Sequence, residues 1–395
     1  MVTYVGLDVH ARSTHAAAID VSTGELLRAR FGPGIEEPVA WLQNLPGPVR
    51  ACYEAGPTGF GLYRAASAAG VAVEVIAPGK TPRGPSDRVK TDRKDAELLA
   101  RLLLAGSLTR VVVPAPEVEA AREMTRAHDA CRRDLMNARH RVSKMLLRHG
   151  RVYPKSTTWT VEHRKWLSAQ QFDEPVSDLV FADLIAAVDG LTSRKSAIAL
   201  RLSEIASDER WWPTVARLRA FRGIDTLTAF SLHLELGADW KRFQTAPALS
   251  AWLGLTPSLN QSGESSRQGS ITKTGSVLAR RLLVESAWHY SRRPRLGATL
   301  TNRQAGQPRS HPRDRKPFPA AALSREPLDA RPWQAPQRHC RGLCASTGLL
   351  PLGRGYRRLN PGQQPRRSVG RGAGPSAPGT RDSAMSAVHR RHARF

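Results

Sequence analysis

Residues 90–103 read KTDRKDAELLARLL, and this stretch decides how the N-terminal part of the chain folds. Its leucines, with no Pro or Gly among them, predict a helix. Asp92 and Asp95 are three residues apart and therefore lie on one face of that helix. Asp95 stands at the head of the apolar stripe, where an uncompensated charge costs free energy that a divalent metal would offset. Alternatively, Asp92 caps the helix and Asp95 is solvated beside neighbouring basic residues.

The charge of the whole chain predicts a polyanionic partner. Its 395 residues carry a formal net charge of +26, which favours nucleic acid or an anionic membrane as the partner. The sequence contains neither an apolar run of about 18 residues nor a signal-peptide pattern. We therefore expect a cytoplasmic protein that binds nucleic acid, without membrane attachment.

The first hundred residues alternate between strand and helix patterns. Strands are predicted at residues 4–9, 13–20, 26–31, 49–54 and 71–77, and helices at 35–45, at about 60–69 and from 92 onward. Short turns join the first three strands, which predicts an antiparallel meander. The order βββ-α-β-α-β-α suits an α/β domain with a five-stranded mixed sheet and helices on both faces.

Four carboxylates are expected to meet at one edge of this sheet. Right-handed crossovers place Asp8 and Glu54, which end two strands, at the same edge. If the third helix packs beside the first strand, Asp92 and Asp95 join them. Four such acids repel one another and cannot all ionise without cations. The arrangement therefore predicts a pair of Mg²⁺ ions about 3.5 to 4 Å apart.

Three motifs in this region carry a resemblance to a known family. They are GLDVH at residues 6–10, YEAGPTG at 53–59 and KTDRKDAELLA at 90–100. The region resembles the ribonuclease-H/RuvC-like nuclease fold. The motifs are similar to those of DEDD transposases of insertion sequences related to the Piv and MooV DNA invertases, a group that includes the bridge-RNA-guided recombinases. The resemblance implies catalytic and metal-binding roles, which fall on Asp8, Glu54, Asp92 and Asp95.

Two long helical patterns occupy the middle of the chain. Residues 117–149 and about 177–205 predict helices joined through residues 154–175, which favours an antiparallel hairpin with a dimer contact. Residues 132–151 hold seven basic residues and one acid. This charge is typical of a solvated coiled-coil face, and it also suits a basic track along a nucleic-acid backbone.

The next segment predicts a second functional region. Residues 215–237 have the pattern of a helix-turn-helix-like unit, which holds DNA through backbone amides, or of an ordinary helical hairpin. A polar, glycine-rich loop follows at 260–275, and a helix at 277–290. A serine in such a loop acts as a nucleophile only where a base or a metal activates it. The residues alone leave an ordinary loop as the main interpretation.

The resemblance adds a role for this loop. Its block GLTP, then SG, then ITKTG is similar to the family's transposase domain, in which the serine of the Ser-Gly pair attacks DNA. The matching serine is Ser262. The resemblance also implies phosphate contacts, which fall on Arg267, Lys273, Arg280 and Arg281.

The resemblance implies recombination through a covalent serine–DNA phosphodiester in a homo-oligomer, a dimer or tetramer, with a structured guide RNA. We expect a RuvC-like DEDD catalytic domain at 1–113, a helical coiled-coil linker at 114–210 and a mainly α transposase domain at 211–304. One alternative is a RuvC-like junction nuclease that hydrolyses with water. Another is an inactive transposase remnant that only binds nucleic acid.

The tail at 305–395 breaks the pattern. From residue 306 onward it holds 17 arginines and one lysine, with frequent Pro and Gly. It is interpreted as a disordered RNA-binding segment, as an additional folded domain, or as out-of-frame translation of a GC-rich gene. We favour the last, because GC-rich codons give Arg, Pro and Gly but little Lys. A shifted frame would leave the activity of this copy open.

Overall fold

The computed structural model describes residues 2–82, 91–263, 265–291 and 297–307, all within one compact unit of the chain. Lys90, Glu264 and the Arg-rich tail beyond residue 307 lie outside these ranges. The disorder and the shifted reading frame proposed for the tail therefore stay predictions. No helix within the described ranges is both long and apolar enough to cross a membrane.

A mixed five-stranded sheet forms the N-terminal part, with strand order β3-β2-β1-β4-β5. Its strands are β1 (Thr3–Val9), β2 (Thr14–Asp20), β3 (Leu26–Phe31), β4 (Val49–Glu54) and β5 (Ala72–Ile76). β1, β2 and β3 pair antiparallel, whereas β4 pairs parallel with both β1 and β5. Short turns join the antiparallel strands, and helices join the parallel ones, as parallel pairing requires. The predicted element order and mixed sheet are confirmed.

Helices cover both faces of the sheet, because successive strand residues point to opposite sides. They are α1 (Glu36–Gln43), α2 (Gly61–Ala68) and α3 (Asp92–Leu104). On one face, Leu7 belongs to the same apolar cluster as residues of α1 and α2. On the other face, Cys52 of β4 clusters with Leu99 and Leu103 of α3. Among the described elements, α3 therefore covers one side of the sheet, and it brings its acids to the strand ends.

α3 lies directly on β1 because Gly6 has no side chain. A Cβ atom at position 6 would lie 2.1 Å from the carbonyl oxygen of Ala96 and 2.5 Å from the backbone nitrogen of Ala100. Such distances are far below van der Waals contact, so any larger residue would displace the helix. The glycine thus allows the helix backbone to approach β1, which carries Asp8 next to its last residue.

A helical hairpin follows the sheet. It consists of α4 (Pro116–Arg148) and α6 (Pro175–Ala206), with the short α5 (Val161–Ser168) between them. Ala121 near the start of α4 packs with Leu202 near the end of α6. Cys131 further along α4 donates through its thiol to the carbonyl oxygen of Leu191 at 3.6 Å. The two helices therefore run antiparallel, as predicted, while their supercoiling into a coiled coil stays a prediction.

The C-terminal part is mainly helical and is built around one buried helix. Its helices are α7 (Trp212–Arg219), α8 (Thr226–Leu236), α9 (Ala246–Trp252), α10 (Val277–Trp288) and α11 (Ala298–Gln304). The last eight residues of α8 are all buried. The turn before α8 contains Gly223, where a Cβ atom would lie 2.7 Å from the carbonyl oxygen of Ser286. α8 is therefore enclosed by its neighbours and its preceding turn packs against α10, while the choice between a DNA-holding unit and an ordinary helical hairpin stays open.

The segment predicted as a polar loop is a two-stranded antiparallel hairpin. It comprises β6 (Pro257–Ser262) and β7 (Ser265–Ile271). Ser262 pairs with Ser265, so two residues separate the strands. Gly263, the first of them, has a φ of 56°, as the tight turns of hairpins require. The loop prediction is wrong because both strands are polar and exposed, so no apolar alternation marks them.

Candidate active site

The start of α3 places two carboxylates over the end of β1. Thr91 is the N-cap of this helix, and its side-chain oxygen accepts a hydrogen bond from the backbone nitrogen of Lys94 at 3.4 Å. Asp92 and Asp95 occupy the first turn, where they complement the helix dipole. The alternative in which Asp92 caps the helix is therefore wrong. With the cap supplied by Thr91, the Asp92 side chain is left to take part in the site.

Asp8, His10 and Asp92 converge at this point. The Nε2 atom of His10 lies 3.0 Å from Oδ2 of Asp8 and 3.7 Å from Oδ1 of Asp92. One donor atom from each residue lies within 4.8 Å of the other two. Both acids were predicted from the sequence as site residues, but His10 was not, although it closes the GLDVH motif. Its position two residues beyond a strand-ending acid was the available signal.

A second histidine borders the same acids. His15 of β2 stands directly opposite Asp8 in the antiparallel register of β1 and β2. Its Nε2 atom lies 3.8 Å from Oδ2 of Asp92. His15 was not predicted from the sequence as a site residue either. In an antiparallel pairing of the first two predicted strands, His15 stands opposite Asp8, and this position could have marked His15 as a site residue.

Burial and neighbouring charge act together on Asp8. Its pKa is raised, chiefly because burial disfavours the charged carboxylate. His10 opposes this shift through its charge and hydrogen bond, while the charges of Asp95 and Asp92 add to it. The negative charges of Asp92 and Asp95 therefore act on Asp8, so three of the four predicted acids interact electrostatically. This is the repulsion that a bound cation would relieve.

Glu54, the fourth predicted acid, is held differently. It ends β4, and its Oε1 atom accepts a hydrogen bond from the hydroxyl of Thr81 at 2.6 Å. Among the described residues, the group of mutually close donor atoms consists of Asp8, His10 and Asp92 and does not include Glu54. Thr81, which follows the short helical turn after β5, was not foreseen from the sequence. The site thus consists of a compact Asp8–His10–Asp92 group with Glu54 set apart.

The donor set fits a divalent cation. Carboxylate oxygens are the protein ligands that Mg²⁺ prefers, and the remaining positions go to water or phosphate oxygens. Asp8 and Asp92 offer two such ligands from different elements, and both side chains remain reachable from solvent, at 19% and 49% exposure. The residues present therefore suit a metal that bridges the protein and a phosphate group.

Ser262 lies apart from the acids, at the tip of the β6–β7 hairpin. It is exposed, and no hydrogen bond among the described residues joins it to Asp8, Glu54 or Asp92. The base of the hairpin is fixed, since the backbone nitrogen of Thr272 donates to the carbonyl oxygen of Thr256 at 2.9 Å. The hairpin therefore presents an accessible hydroxyl on an anchored support.

Arg280 and Arg281 are already engaged within the chain. Arg280 donates to the carbonyl oxygens of Leu253 and Gly275, at 3.1 Å each, and to that of Thr274. Arg281 donates to Asp129 of α4 at 2.7 Å and also pairs with Glu285. These bonds fasten the turns on either side of the hairpin and tie α10 to α4. The predicted phosphate contacts of both arginines stay predictions.

Arg267 and Lys273 are exposed and face solvent near the hairpin. Lys273 adopts a left-handed backbone conformation with φ of 57°, one of two non-glycine residues described with positive φ. Such conformations cost free energy and persist where the surroundings fix them. Here the backbone nitrogen of Lys273 donates to the carbonyl oxygen of Gly254 at 3.0 Å. The two side chains are available to a phosphate backbone, and that role stays a prediction.

The acid site on a mixed sheet, followed by a helical region, defines a class of protein, the DEDD transposases. A DEDD transposase family model matches residues 5–150, and the model of the IS116/IS110/IS902 transposase family matches residues 215–302. Transposases of this class bind DNA and, in general, cut and rejoin it with the help of a divalent metal. The prediction from the sequence of an insertion-sequence transposase of the DEDD type, which acts in transposition, is confirmed.

Similar proteins lead to the same family. The protein y4qE of Sinorhizobium fredii, which carries the name of a transposase, is 36% identical over 74% of this chain and 73% of its own length. The transposase for insertion sequence element IS1533 of Leptospira borgpetersenii is 33% identical over 77% of this chain and 90% of its own. The chain belongs to the IS110 family of insertion-sequence transposases.

Proposed function

We propose that this transposase cuts and rejoins DNA through a covalent bond between Ser262 and a DNA phosphate, with Mg²⁺ held by Asp8, Glu54, Asp92 and Asp95. The observation that carries the proposal is the convergence of Asp8, His10 and Asp92 at the end of β1. This convergence gives the chain a site for a metal ion that would also contact a DNA phosphate. The RuvC-like character of the sheet domain and the kinship with Piv and MooV invertases belong to the same proposal.

The proposed step exchanges one phosphate ester for another. The Ser262 oxygen forms a bond to phosphorus, and the bond from phosphorus to a deoxyribose oxygen breaks. The proton leaves the serine hydroxyl and ends on the departing sugar oxygen, so the phosphodiester charge is conserved. Rejoining is the reverse attack by a sugar hydroxyl of another strand. No external energy source is needed, because each bond broken is replaced by one of the same kind.

The residues of the acid site supply position and charge for this step. Asp8 and Asp92 hold their oxygens on two rigid elements, and Arg267 and Lys273 stand near the hairpin to contact the DNA backbone. When bound, Mg²⁺ would lower the pKa of the attacking hydroxyl and stabilise the charge that develops on the phosphate. The proposal thus divides the work between an acid site and a nucleophile on separate parts of the chain.

A homo-oligomer would bring these parts together, with Ser262 of one protomer meeting the acids of another. The outward face of α6 supports this assembly. It carries Val176, Leu179 and Leu200, each more than 60% exposed, and small residues at the helical repeats between them. Apolar side chains this exposed along one helix are typical of an interaction surface. We infer that two protomers form a dimer through this face, and that a tetramer would consist of two such dimers.

The nucleic-acid partners belong to the proposal as well. Arg133, Arg141, Lys144 and Arg148 are exposed and lie on one face of α4, which suits a phosphate backbone. We propose that a structured guide RNA uses this face while DNA occupies the catalytic parts, as fits a protein of the bacterial nucleoid. The apolar cluster of the sheet part extends no further than Val113 and supports a division at about residue 113. Ala121, Leu202 and Ala206 of the hairpin share a cluster with the C-terminal helices, so the division at about residue 210 rests on the sequence alone.

The experiment that tests the metal-dependent chemistry is strand cleavage of the element's flanking DNA. Asp8→Asn and Asp92→Asn should each lower the rate on the order of 10²- to 10³-fold, because each removes a charge that fixes the metal. Asp173→Asn, a change at an exposed acid between α5 and α6, serves as the matched control and should cleave normally. Cleavage that persists in both site variants without added metal would contradict the proposal.

Hydrolysis by water is the second candidate. Within the described ranges, no hydrogen bond joins Ser262 to Asp8, Glu54 or Asp92. This favours hydrolysis, because a water molecule can attack at the acid site without any contact between that site and Ser262. The two candidates differ in one variant, Ser262→Ala. Hydrolysis would survive this change, whereas transfer through serine would stop.

A further inference from the structure

His10 places a nitrogen donor between the two acids that form the centre of the site. Its Nε2 atom lies 3.0 Å from Oδ2 of Asp8 and 3.7 Å from Oδ1 of Asp92. Metal bonds of about 2.0 to 2.2 Å place ligand atoms up to about 4 Å apart. Small rotations of these three side chains therefore suffice to set all three donors around one cation.

The backbone fixes His10 in this position. Its backbone nitrogen donates to the carbonyl oxygen of Ser13 at 2.9 Å, which closes the turn between β1 and β2. Asp8 belongs to β1 and Asp92 to the first turn of α3. All three donors therefore stand on well-defined backbone, and the His10 side chain is 49% exposed. The imidazole is not needed to fill the core, so packing does not explain its orientation toward the acids.

Glu54 does not occupy the same place. Its Oε1 atom is taken by the hydroxyl of Thr81 at 2.6 Å, and the group of converging donors contains Asp8, His10 and Asp92. The third donor of this group is thus a nitrogen atom. That matters because Mg²⁺ favours oxygen ligands throughout, whereas a nitrogen donor adds affinity for first-row divalent transition metals, of which Mn²⁺ gains the least.

We propose that His10 is a metal ligand, and that it makes the site bind Mn²⁺ more tightly than Mg²⁺. The inference rests on the proposed function, since it concerns the metal of the same acid site. Asp8 and Asp92 accept either cation through oxygen. His10 adds a bond that Mn²⁺ uses and Mg²⁺ uses poorly, so the residue sets the preference between the two.

The test measures Mn²⁺ binding to the full-length protein by electron paramagnetic resonance, with Mg²⁺ as the competitor. Pulsed measurements on the same samples detect the nitrogen nucleus of an imidazole bound to Mn²⁺. The variants are His10→Gln, His15→Gln as the matched neighbour beside Asp92, and His140→Gln as an exposed, distant control. Asp8→Asn defines the signal of a broken site, and circular dichroism checks that each variant is folded.

The proposal predicts that His10→Gln lowers Mn²⁺ affinity about tenfold or more, a loss within the range that follows disruption of a metal's ligand environment. Mg²⁺ affinity should change little, and the nitrogen signal should vanish in His10→Gln but persist in His15→Gln. Unchanged or tighter Mn²⁺ binding in His10→Gln would overturn the inference, because His10 would then be a counter-ion that the metal displaces. A parent protein that binds neither cation would overturn the metal site itself.

Discussion

Asp8 and His233 show two consequences of burying an ionisable side chain. Burial raises the pKa of Asp8. Asp8 also lies near other acids, and a bound cation would offset the repulsion between them. His233 of α8 lies in the C-terminal core against Trp211, and the centroids of the two rings are 5.5 Å apart. Burial lowers its pKa to about 4, and the charge of Arg122 contributes to the shift. Asp8 thus serves the site, whereas His233 is a neutral part of the core.

His233 should make the protein sensitive to acid. Its pKa falls from the usual 6.5 to about 4 on folding, so its stabilising effect is complete above pH 6.5 and is lost as the pH falls through 4. The full loss is about 3 kcal/mol. Urea unfolding between pH 7 and pH 4 should show a smaller decline in His233→Leu than in the parent. Equal declines in both would contradict the neutral, buried state of this histidine.

Among the elements, the contact between α3 and β1 decides whether the site exists. Gly6 allows the helix to touch the strand, and the helix then carries Asp92 and Asp95 to the edge where Asp8 ends β1. The hairpin of β6 and β7 is the second decisive element. Three carbonyl groups at its base accept hydrogen bonds from one guanidinium, that of Arg280.

Gly6→Ala should destabilise the N-terminal part by about 1 to 3 kcal/mol, because the added methyl group overlaps the α3 backbone. It should also weaken metal binding, since α3 must shift. Gly61→Ala is the matched control, because a Cβ atom there meets nothing within 4 Å. Thermal unfolding and Mn²⁺ titration of both variants provide the test. Normal metal binding by a folded Gly6→Ala protein would show that the close contact does not position the acids.

Arg280 and Arg267 should separate a structural from a DNA-binding role. Arg280→Ala should lose on the order of 1 to 3 kcal/mol in urea unfolding, because three carbonyls lose a charged donor. Arg267→Ala should unfold like the parent but bind DNA less tightly, with the salt dependence of binding reduced by about one phosphate contact. Filter binding at several salt concentrations measures the second effect. A parental salt dependence in Arg267→Ala would remove this residue from the DNA contacts.

Sequence patterns predicted these elements to different degrees. The strands, their order and α3 followed from apolar periodicity and short turns, because one face of each element is buried. The β6–β7 hairpin was missed, since both of its strands are exposed and polar. His10 was missed because its closeness to Asp92 depends on how α3 packs on β1, and that contact joins residues more than 80 positions apart. Periodicity reports burial along one element and not contacts between elements.

On the scale of the whole molecule, the proposed mechanism divides the chemistry between two regions of the chain, and one face of α6 is exposed among the described residues. Ser262 and the acid site have no hydrogen bond between them in the described part of the chain. The outward face of α6 exposes Leu179 at 71% and Val176 at 69%. A partner protomer on this face would cover the apolar side chains, and assembly would allow the two regions of different protomers to meet.

The proposed dimer should therefore dissociate into monomers in Leu179→Glu, without unfolding of the chain. The side chain lies outside the hairpin core, and burying its new charge at a protomer contact would be costly. Ser67→Glu, a change at an exposed position on α2, is the control. Light scattering after size-exclusion chromatography gives the mass of each variant. A parental mass for Leu179→Glu would place the contact elsewhere.

The most direct test of the central claim is a search for protein–DNA adducts that resist SDS, formed with the element's own flanking DNA. We predict an adduct in the parent and in Ser265→Ala, whose position pairs with Ser262 across the hairpin. Asp8→Ala and Ser262→Ala should form none, and the DNA-linked peptide of the parent should map to Ser262. An adduct that survives in Ser262→Ala, or that maps to another residue, would contradict the account.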